Sequence, residues 1–234
     1  MTIRNWVKFA FWAMLIGGGV NAIASLFIRW NFYKPFLING EIGEFLAAFI
    51  WMVILGMTMS VIAQAGFFAY LTVHQVGVNL FKSLTLWNWV QALIIIIVLF
   101  DIIVFRFVPG AESTRDWLIY IGLLLILIGG AAATAMKKVQ MTNKPHILIP
   151  TVFFMIVITS LEWIIALMGR TENIDTYVSL LLFPLLAVNA YQILVLPKYN
   201  MQSEIDRKKL EERRKARQVA TNMTKEKSKA NAVH

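Results

Sequence analysis

The chain has 234 residues, of which 59% are hydrophobic and only 15% are charged, and its formal net charge at pH 7 is +9. A soluble globular domain averages about 45–50% apolar and about 25% charged residues, so this composition favours an integral membrane protein. Cysteine is absent, which excludes disulfides, thiolate metal sites and a cysteine nucleophile. Half of the 22 Lys and Arg residues lie between Lys198 and Lys229, so the excess positive charge belongs to the C-terminal segment.

Six apolar blocks follow one another along the chain, and each is about as long as the roughly 20 residues that a spanning helix needs. They cover about residues 7–28, 43–70, 87–108, 117–136, 147–168 and 177–196. The second block exceeds one crossing, and we expect it to tilt or to project into the cytosol as helix. The pattern predicts an all-α integral membrane protein, in which residues 1–197 form a six-transmembrane-helix bundle and residues 198–234 form a charged cytoplasmic helix and tail.

The distribution of Lys and Arg predicts the orientation of these spans. One side carries the C-terminal segment and the lysine-rich loop between the fourth and fifth spans. The other side carries only five basic residues, namely Arg29, Lys34, Arg106, Arg115 and Arg170. Because cytoplasmic loops retain positive charge, both termini of this multi-pass cell-membrane protein are predicted to lie in the cytosol.

One alternative stays open at the N-terminus. The first block contains the step Ala22–Ile23–Ala24, which is similar to a signal-peptidase site, and basic residues precede the apolar run. The run nevertheless continues to Trp30, as a full span does. Cleavage there would leave the orientation of the remaining five spans unchanged.

Small residues cluster within three of the predicted spans. Helices in membranes associate through close packing of such residues, because lipid tails offer no hydrophobic force between helices. The candidate packing residues are Gly17, Gly18, Gly19 and Ala22 in the first span, Gly56, Ser60 and Ala63 in the second, and Gly129, Gly130 and Ala133 in the fourth. They indicate either packing within one bundle or a face reserved for another membrane protein.

Three polar residues, Asn21, Asp101 and Glu162, are predicted to lie at one depth within the spans, near the outer boundary. Thr159 precedes Glu162 by three residues and shares its helix face, so it joins the candidate cluster. Because polar groups in hydrocarbon are costly, three interpretations remain open. A neutral carboxyl of Asp101 or Glu162 bonds to Asn21, or Asp101 extends toward Arg106 and the outer surface, or the cluster binds a proton, a cation or a partner side chain.

A second set of polar residues is predicted near the cytoplasmic side, comprising Gln64, His74, Gln91, Asn189 and Gln192. His74 and His146 lack the companions that a metal site needs. No GxSxG, HExxH or Walker motif is present, and no acid pair has a fixed short spacing. The sequence therefore predicts no catalytic residues, no cofactor and no metal, and a protein that is not an enzyme.

The C-terminal segment changes in composition after Pro197. Residues 203–217 read SEIDRKKLEERRKAR, and Ser203 is predicted to cap a new helix there. This helix is either a solvated charged segment or one attracted to anionic lipid, since each basic residue near the surface contributes about 1 kcal/mol. The candidate anionic-lipid contacts are Lys137, Lys138, Lys144, Arg207, Lys208, Lys209, Arg213 and Arg214. A nucleic-acid partner is not indicated.

Four stretches of the sequence carry a resemblance to a known family. They are AQAGFFAYLTVHQVGVNLF at 63–81, LWNWVQALIIIIVLFDIIVFRF at 86–107, RNW at 4–6 and WNFYKPF at 30–36. The chain resembles the KinB-signalling pathway activation protein (KbaA) family of spore-forming bacteria. The resemblance implies a small integral protein of the cell membrane that the membrane sensor kinase KinB requires to feed phosphate into the sporulation phosphorelay. It implies no catalytic residues, and the C-terminal segment is longer than the family pattern.

Two functions follow as hypotheses. The first is a non-enzymatic regulatory membrane protein that activates the sensor histidine kinase by lateral contact in the membrane. The alternative is a small ion-coupled transporter or ligand carrier that uses the cluster of Asp101, Glu162 and Asn21 and affects signalling indirectly.

Overall fold

The computed structural model of the chain describes residues 1–168 and 174–231. Nearly all of these residues are helical, and no strand occurs among them. The all-α prediction is thereby confirmed for the described part of the chain. Arg170, one of the basic residues predicted on the outer side, lies outside the described residues.

Short connections join the helices. Their bounds are α1 Ile3–Ile28, α2 Trp30–Ile38, α3 Ile42–Phe81, α4 Leu84–Asp101, α5 Val108–Gly110, α6 Thr114–Thr142, α7 Leu148–Phe153, α8 Thr159–Met168 and α9 Ile174–Asn231. Wider π-helical turns at Ile102–Phe107 and Phe154–Ile158 join α4 to α5 and α7 to α8, and a 3₁₀ turn at Pro145–Ile147 precedes α7. Such wide turns shift the faces that a helix presents before and after them.

Six helical stretches among the described residues are long and apolar enough to cross a membrane. They are Ile3–Ile28, Ile42–Phe81, Leu84–Gly110, Thr114–Thr142, Pro145–Ala166 and Thr176–Gln218. Each overlaps one of the six predicted spans. Two helices run far beyond their apolar blocks, because α3 continues to Phe81 and α9 to Asn231.

Local capping determines where α4 and α6 begin. The Ser83 side chain accepts a hydrogen bond from the Leu86 backbone N–H at 3.3 Å. Ser113 and Asp116 form a capping box, in which each side chain accepts from the other residue's backbone N–H, at 3.2 and 2.9 Å. These bonds satisfy N–H groups that a helix start leaves without partners.

By its internal contacts the chain divides into two compact units. The bundle unit comprises Ala10–Leu194, and the terminal unit comprises Met1–Phe9 with Val195–His234. In the bundle unit α3 packs on α8, α4 on α7 and α6 on α7. Its core is apolar, and fully buried side chains include Phe67, Phe154 and Leu185. The Phe107 ring, next to α5, stacks on the Tyr120 ring of α6 with 4.7 Å between the ring centroids.

The terminal unit joins the start of α1 to the second half of α9. Ser203 accepts hydrogen bonds from the Thr2 backbone N–H at 3.0 Å and from the Asn5 side-chain amide at 2.9 Å. The same Asn5 amide donates to Asp206 at 3.0 Å. The prediction that Ser203 caps a separate helix is therefore wrong, because α9 is continuous there and the Ser203 hydroxyl donates to the Tyr199 carbonyl at 2.7 Å.

Candidate functional site

A buried polar cluster joins α8 to α9 within the bundle unit. The Asn189 side-chain amide of α9 donates to Glu162 Oε2 at 2.6 Å and to Thr159 Oγ1 at 2.9 Å, both on α8. Thr159 and Asn189 are fully buried, and Glu162 is 3% exposed. We call these three residues the Glu162 cluster. The partner of Glu162 is thus Asn189, which the sequence interpretation had grouped with the cytoplasmic-side residues.

A glycine of α3 makes room for the Glu162 cluster. A Cβ atom built on Gly66 would lie 2.0 Å from Glu162 Oε1, so the carboxyl group rests directly against the α3 backbone. No side chain larger than hydrogen fits at this position while Glu162 keeps its place. The sequence interpretation missed Gly66, although a glycine between large apolar residues of a helix is a signal for such a close approach. The cluster therefore brings α3, α8 and α9 together.

The Glu162 cluster has more acceptors than donors. Glu162 Oε1 and Asn189 Oδ1 are buried and have no hydrogen-bond partner among the described residues. Gln192, one helical turn further along α9, is also fully buried, and neither atom of its side-chain amide has a partner in the described part. A proton or a bound water would complement the two unpartnered oxygens of the Glu162 cluster, because each supplies a donor.

The structure does not assemble the four-residue polar cluster that the sequence predicts. Asn21 donates to the Met52 backbone carbonyl of α3 at 2.7 Å, so its amide fixes the approach of α1 to α3. Asp101 is half-buried at the end of α4, and its carboxylate makes no hydrogen bond or ion pair with the described residues, Arg106 included. The equal depth predicted for these residues within the spans therefore does not place Asn21 or Asp101 in hydrogen-bond contact with Glu162.

The residues of the second predicted polar set do not form one cluster in the structure. Trp87 Nε1 donates to His74 Nδ1 at 3.1 Å, and the Gln91 amide lies 3.5 Å from the same nitrogen. Gly77 permits this contact, because a Cβ there would lie 2.5 Å from the Trp87 ring. These residues fix the α3–α4 connection, whereas Asn189 belongs to the Glu162 cluster. Across the described residues, no three His, Cys, Asp or Glu side chains are grouped as a metal site requires.

Most of the predicted packing residues are used inside the chain. A Cβ on Gly17 would lie 1.9 Å from Ser60 Oγ and 2.8 Å from the Gly56 carbonyl, and a Cβ on Gly56 would lie 2.3 Å from the Gly17 carbonyl. The backbones of α1 and α3 therefore cross in direct contact, as small residues allow. The other predicted packing residues that face the interior of the bundle unit are Gly18, Ala22, Ala63 and Gly130.

Gly19, Gly129 and Ala133 do not take part in this internal packing. Within the described part of the chain, a Cβ on Gly19 or Gly129 would meet no atom of another element within 4 Å, and the Ala133 side chain is exposed. Gly129 and Ala133 belong to one continuous helical face whose members recur every three or four positions. We call it the α6 outer face, consisting of Leu118, Gly122, Leu125, Gly129, Ala132, Ala133 and Met136.

The basic residues near the end of α6 differ in their surroundings. Lys138 is buried, and its ammonium group donates to the Ile193 backbone carbonyl of α9. This finding corrects the prediction of a lipid contact for Lys138, since its charge is directed into the bundle unit. Lys137 and Lys144 are exposed. The predicted contacts on α9 are exposed as well, namely Arg207, Lys208, Lys209, Arg213 and Arg214.

Comparison with known proteins places this fold in a family. Residues 17–199 match the family model KbaA, described as KinB-signalling pathway activation in sporulation. The KinB-signaling pathway activation protein of Bacillus subtilis (strain 168) is 35% identical over 200 residues, which cover 85% of this chain and 98% of the relative. No solved structure matches the chain. On the family match and this identity, the chain belongs to the KbaA family, as the resemblance in its sequence predicted.

Proposed function

We propose that this protein is a multi-pass protein of the cell membrane that activates KinB signalling into the sporulation phosphorelay through lateral contact with the sensor kinase. Residues 1–197 cross the membrane six times, and residues 198–234 form a basic cytoplasmic tail. Both termini lie in the cytosol. Membership of the KbaA family and the name of the Bacillus subtilis relative support the pathway.

The surface of the bundle unit supports the membrane location. Large apolar side chains point outward from several helices: Trp51 is 59% exposed, Ile97 is 55% exposed and Leu125 is 64% exposed. In water such a surface would be unfavourable, whereas lipid chains would cover it at no cost. Exposed lysines such as Lys137 and Lys144 flank the connection after α6, consistent with a cytoplasmic position next to anionic headgroups.

The α6 outer face is the main support for the proposed lateral contact with the sensor kinase. Gly122, Gly129, Ala132 and Ala133 are small, and a Cβ built on Gly122 or Gly129 would meet no neighbouring atom of the described residues within 4 Å. A helix of another membrane protein can approach such a surface closely, and close approach maximises van der Waals contact in lipid. Gly17 and Gly56 of α1 and α3 already pack against each other, although Gly19 of α1 is exposed. The α6 outer face presents four small residues along one helix, so we assign the contact with a partner to this face.

The protein's role is regulatory and not enzymatic in this proposal. Several polar side chains of the bundle unit bond to backbone carbonyls and so serve the fold, as Asn21 and Lys138 do. The ion-coupled transporter was based on Asp101, Glu162 and Asn21 forming one cluster. In the structure Asn21 bonds to the Met52 carbonyl and Glu162 to Asn189, and the three residues form no hydrogen bond or ion pair with one another, so that hypothesis has lost the observation that motivated it.

Site-specific crosslinking in membranes tests lateral contact with KinB. The chain has no cysteine, so a single cysteine can be introduced at Ala133 and labelled with a photoactivated crosslinker. A matched cysteine at Ile97, which is 55% exposed on α4, serves as the control. We expect a KinB adduct from Ala133 in sporulating cells and little or none from Ile97.

Two other outcomes would count against lateral contact. Equal adducts from both positions would indicate random collision in the membrane. Absence of an adduct from outward positions on all six spans, with KinB abundant in the same membranes, would show that the pathway is activated without direct contact.

A further inference from the structure

The terminal unit contains a pocket that the proposed function does not use. Its volume is about 390 Å³, and its lining residues are Thr2, Arg4, Asp206, Arg207, Lys209, Leu210 and Arg213. Four of these side chains are basic and one is acidic. Apart from α9 up to residue 199, the terminal unit lies outside residues 17–199, which match the family model, so family membership does not account for the pocket.

Two chain segments build this pocket. Asp206, Lys209, Leu210 and Arg213 follow one face of α9, because side chains three or four positions apart are neighbours on a helix. Arg4 approaches from the N-terminal segment. The pocket therefore combines basic side chains that are more than 200 positions apart in the sequence.

Buried hydrogen bonds hold the two segments together beside the pocket. Asn5 is 3% exposed and Ser203 is 2% exposed, and they bond to each other at 2.9 Å. Asp206 accepts from Asn5 at 3.0 Å and from Gln202 at 3.1 Å. The one carboxylate of the lining accepts from these amide donors and also attracts Arg4 and Lys209, so a single negative charge stands against four basic side chains, which are exposed. The cationic groups are left to face an incoming anion.

The chemistry of the lining selects a phosphate group. Arginine presents planar donors that match the geometry of phosphate oxygens, and lysine adds a point charge. Thr2 also lines the pocket, and its hydroxyl, which can donate a hydrogen bond, has no partner among the described residues. A volume of about 390 Å³ is larger than bare phosphate needs and suits a phosphate carried on a small organic group.

We propose that the pocket of the terminal unit binds a phosphate group through Arg4, Arg207, Lys209 and Arg213. The phosphate belongs either to an anionic phospholipid headgroup or to a soluble phosphate. Both sources share the same recognition chemistry, and the experiment separates them. Binding connects the N-terminal segment to α9 through the ligand as well as through Asn5 and Ser203.

Binding is measured on the full-length protein in a non-ionic detergent at fixed ionic strength. The probes are short-chain phosphatidylglycerol, short-chain phosphatidylcholine and inorganic phosphate. We expect saturable binding of phosphatidylglycerol or of inorganic phosphate, and weaker binding of the zwitterionic phosphatidylcholine. Phosphatidylglycerol binding without phosphate binding assigns the site to lipid, and comparable binding of both assigns it to soluble phosphate. Failure of both probes would overturn the proposal.

A pair of charge-matched variants separates the pocket from general positive charge. The pocket variant is Arg4→Gln, Lys209→Gln and Arg213→Gln, and the control is Lys208→Gln, Arg214→Gln and Lys215→Gln, which removes equal charge from residues that do not line the pocket. We expect the pocket variant to lose at least about tenfold in affinity, equivalent to about 1.4 kcal/mol, and the control to lose less than about twofold. Equal losses would show diffuse electrostatic attraction instead of a site.

A labelling experiment tests the pocket without removing any charge. Leu210 lines the pocket and is 51% exposed, whereas Ile205 is 41% exposed and lies outside the lining. The single variants Leu210→Cys and Ile205→Cys are reacted with a maleimide, with and without the probe that binds. We expect the probe to slow labelling at position 210 only. Unchanged labelling at position 210 at a saturating probe concentration would contradict the proposal.

Discussion

The Asn189 side-chain amide donates to Glu162 Oε2 at 2.6 Å, and the other Glu162 oxygen rests against Gly66 of α3. These contacts join α8 and α9, which follow one another in the sequence, to the more distant α3. In hydrocarbon, helices gain little from burying apolar side chains against each other, so close packing and such polar contacts specify which helices meet. The Glu162 cluster therefore fixes the arrangement of α3, α8 and α9.

Substitution of Glu162 by a neutral residue tests whether its carboxyl group serves only the structure or must ionise for signalling. Glu162→Gln keeps an oxygen that accepts from Asn189, so we expect a change in the free energy of unfolding below about 1 kcal/mol and retained signalling. Asn189→Ala removes both donated bonds, and we expect a loss of about 1–3 kcal/mol. Detergent-induced unfolding and a sporulation reporter measure these effects. A folded Glu162→Gln protein without signalling would instead show that the ionisable group is functional.

Substitution of two glycines of α1, Gly17 and Gly19, should affect stability to different extents. Gly17→Ala places a Cβ 1.9 Å from Ser60 Oγ and 2.8 Å from the Gly56 carbonyl, so the helices must move apart. We expect a loss of about 1–3 kcal/mol, the usual cost of overpacking. Gly19→Ala serves as the control with little change expected, because its Cβ would meet no atom of another element within 4 Å among the residues that the structure describes. Melting temperatures of the purified proteins provide the measurement, and equal melting temperatures for the two variants would contradict the crossing.

Bulky residues on the α6 outer face should impair signalling without unfolding the protein. Gly129→Leu fills the space outside α6 and prevents close approach of another helix, although its Cβ would meet no neighbouring atom of the described residues within 4 Å. We expect about tenfold lower output of a phosphorelay reporter, corresponding to about 1.4 kcal/mol of lost association. Protein abundance should stay unchanged. The control is Ala65→Leu, which adds similar bulk at an exposed position of α3; the same defect there would remove the special role of α6.

Removal of the Ser203 hydroxyl should loosen the N-terminal segment. Ser203→Ala abolishes the bonds from the Thr2 backbone and the Asn5 side chain, each worth about 1 kcal/mol. We expect hydrogen exchange at residues 2–9 to accelerate by roughly tenfold or more, because local opening becomes easier. Glu204→Ala alters the neighbouring exposed residue and should leave exchange unchanged. Unaltered exchange in Ser203→Ala would mean that these bonds contribute nothing to the terminal unit.

The family was predictable from the sequence because whole segments, such as residues 63–81 and 86–107, carry the likeness. The helical content was predictable for a different reason. A bilayer core about 30 Å thick demands about 20 apolar residues per helix, and the six blocks meet that length. Both the family likeness and the helical content depend only on segments of consecutive residues. No knowledge of which helices are neighbours is needed for either.

The identity of the contacting side chains was decided by the tertiary structure. Depth along a helix follows from its fixed rise of about 1.5 Å per residue, so Asn21, Asp101 and Glu162 could be placed at one level. Which way each side chain points depends on the rotation and crossing of the helices, and those depend on packing at sites such as Gly17 and Gly66.

For that reason Glu162 meets Asn189, and Asn21 meets the Met52 carbonyl. Helix packing also gives adjacent residues of α6 different surroundings. Gly130 faces Leu186 inside the bundle unit, whereas Gly129 faces outward. Lys138 likewise points inward and donates to the Ile193 carbonyl. The sequence by itself determined the helices and their family, because these depend on the composition of continuous segments. Only the tertiary structure decided which polar and small residues serve the fold and which remain at the surface, because that depends on the angles at which the helices pack.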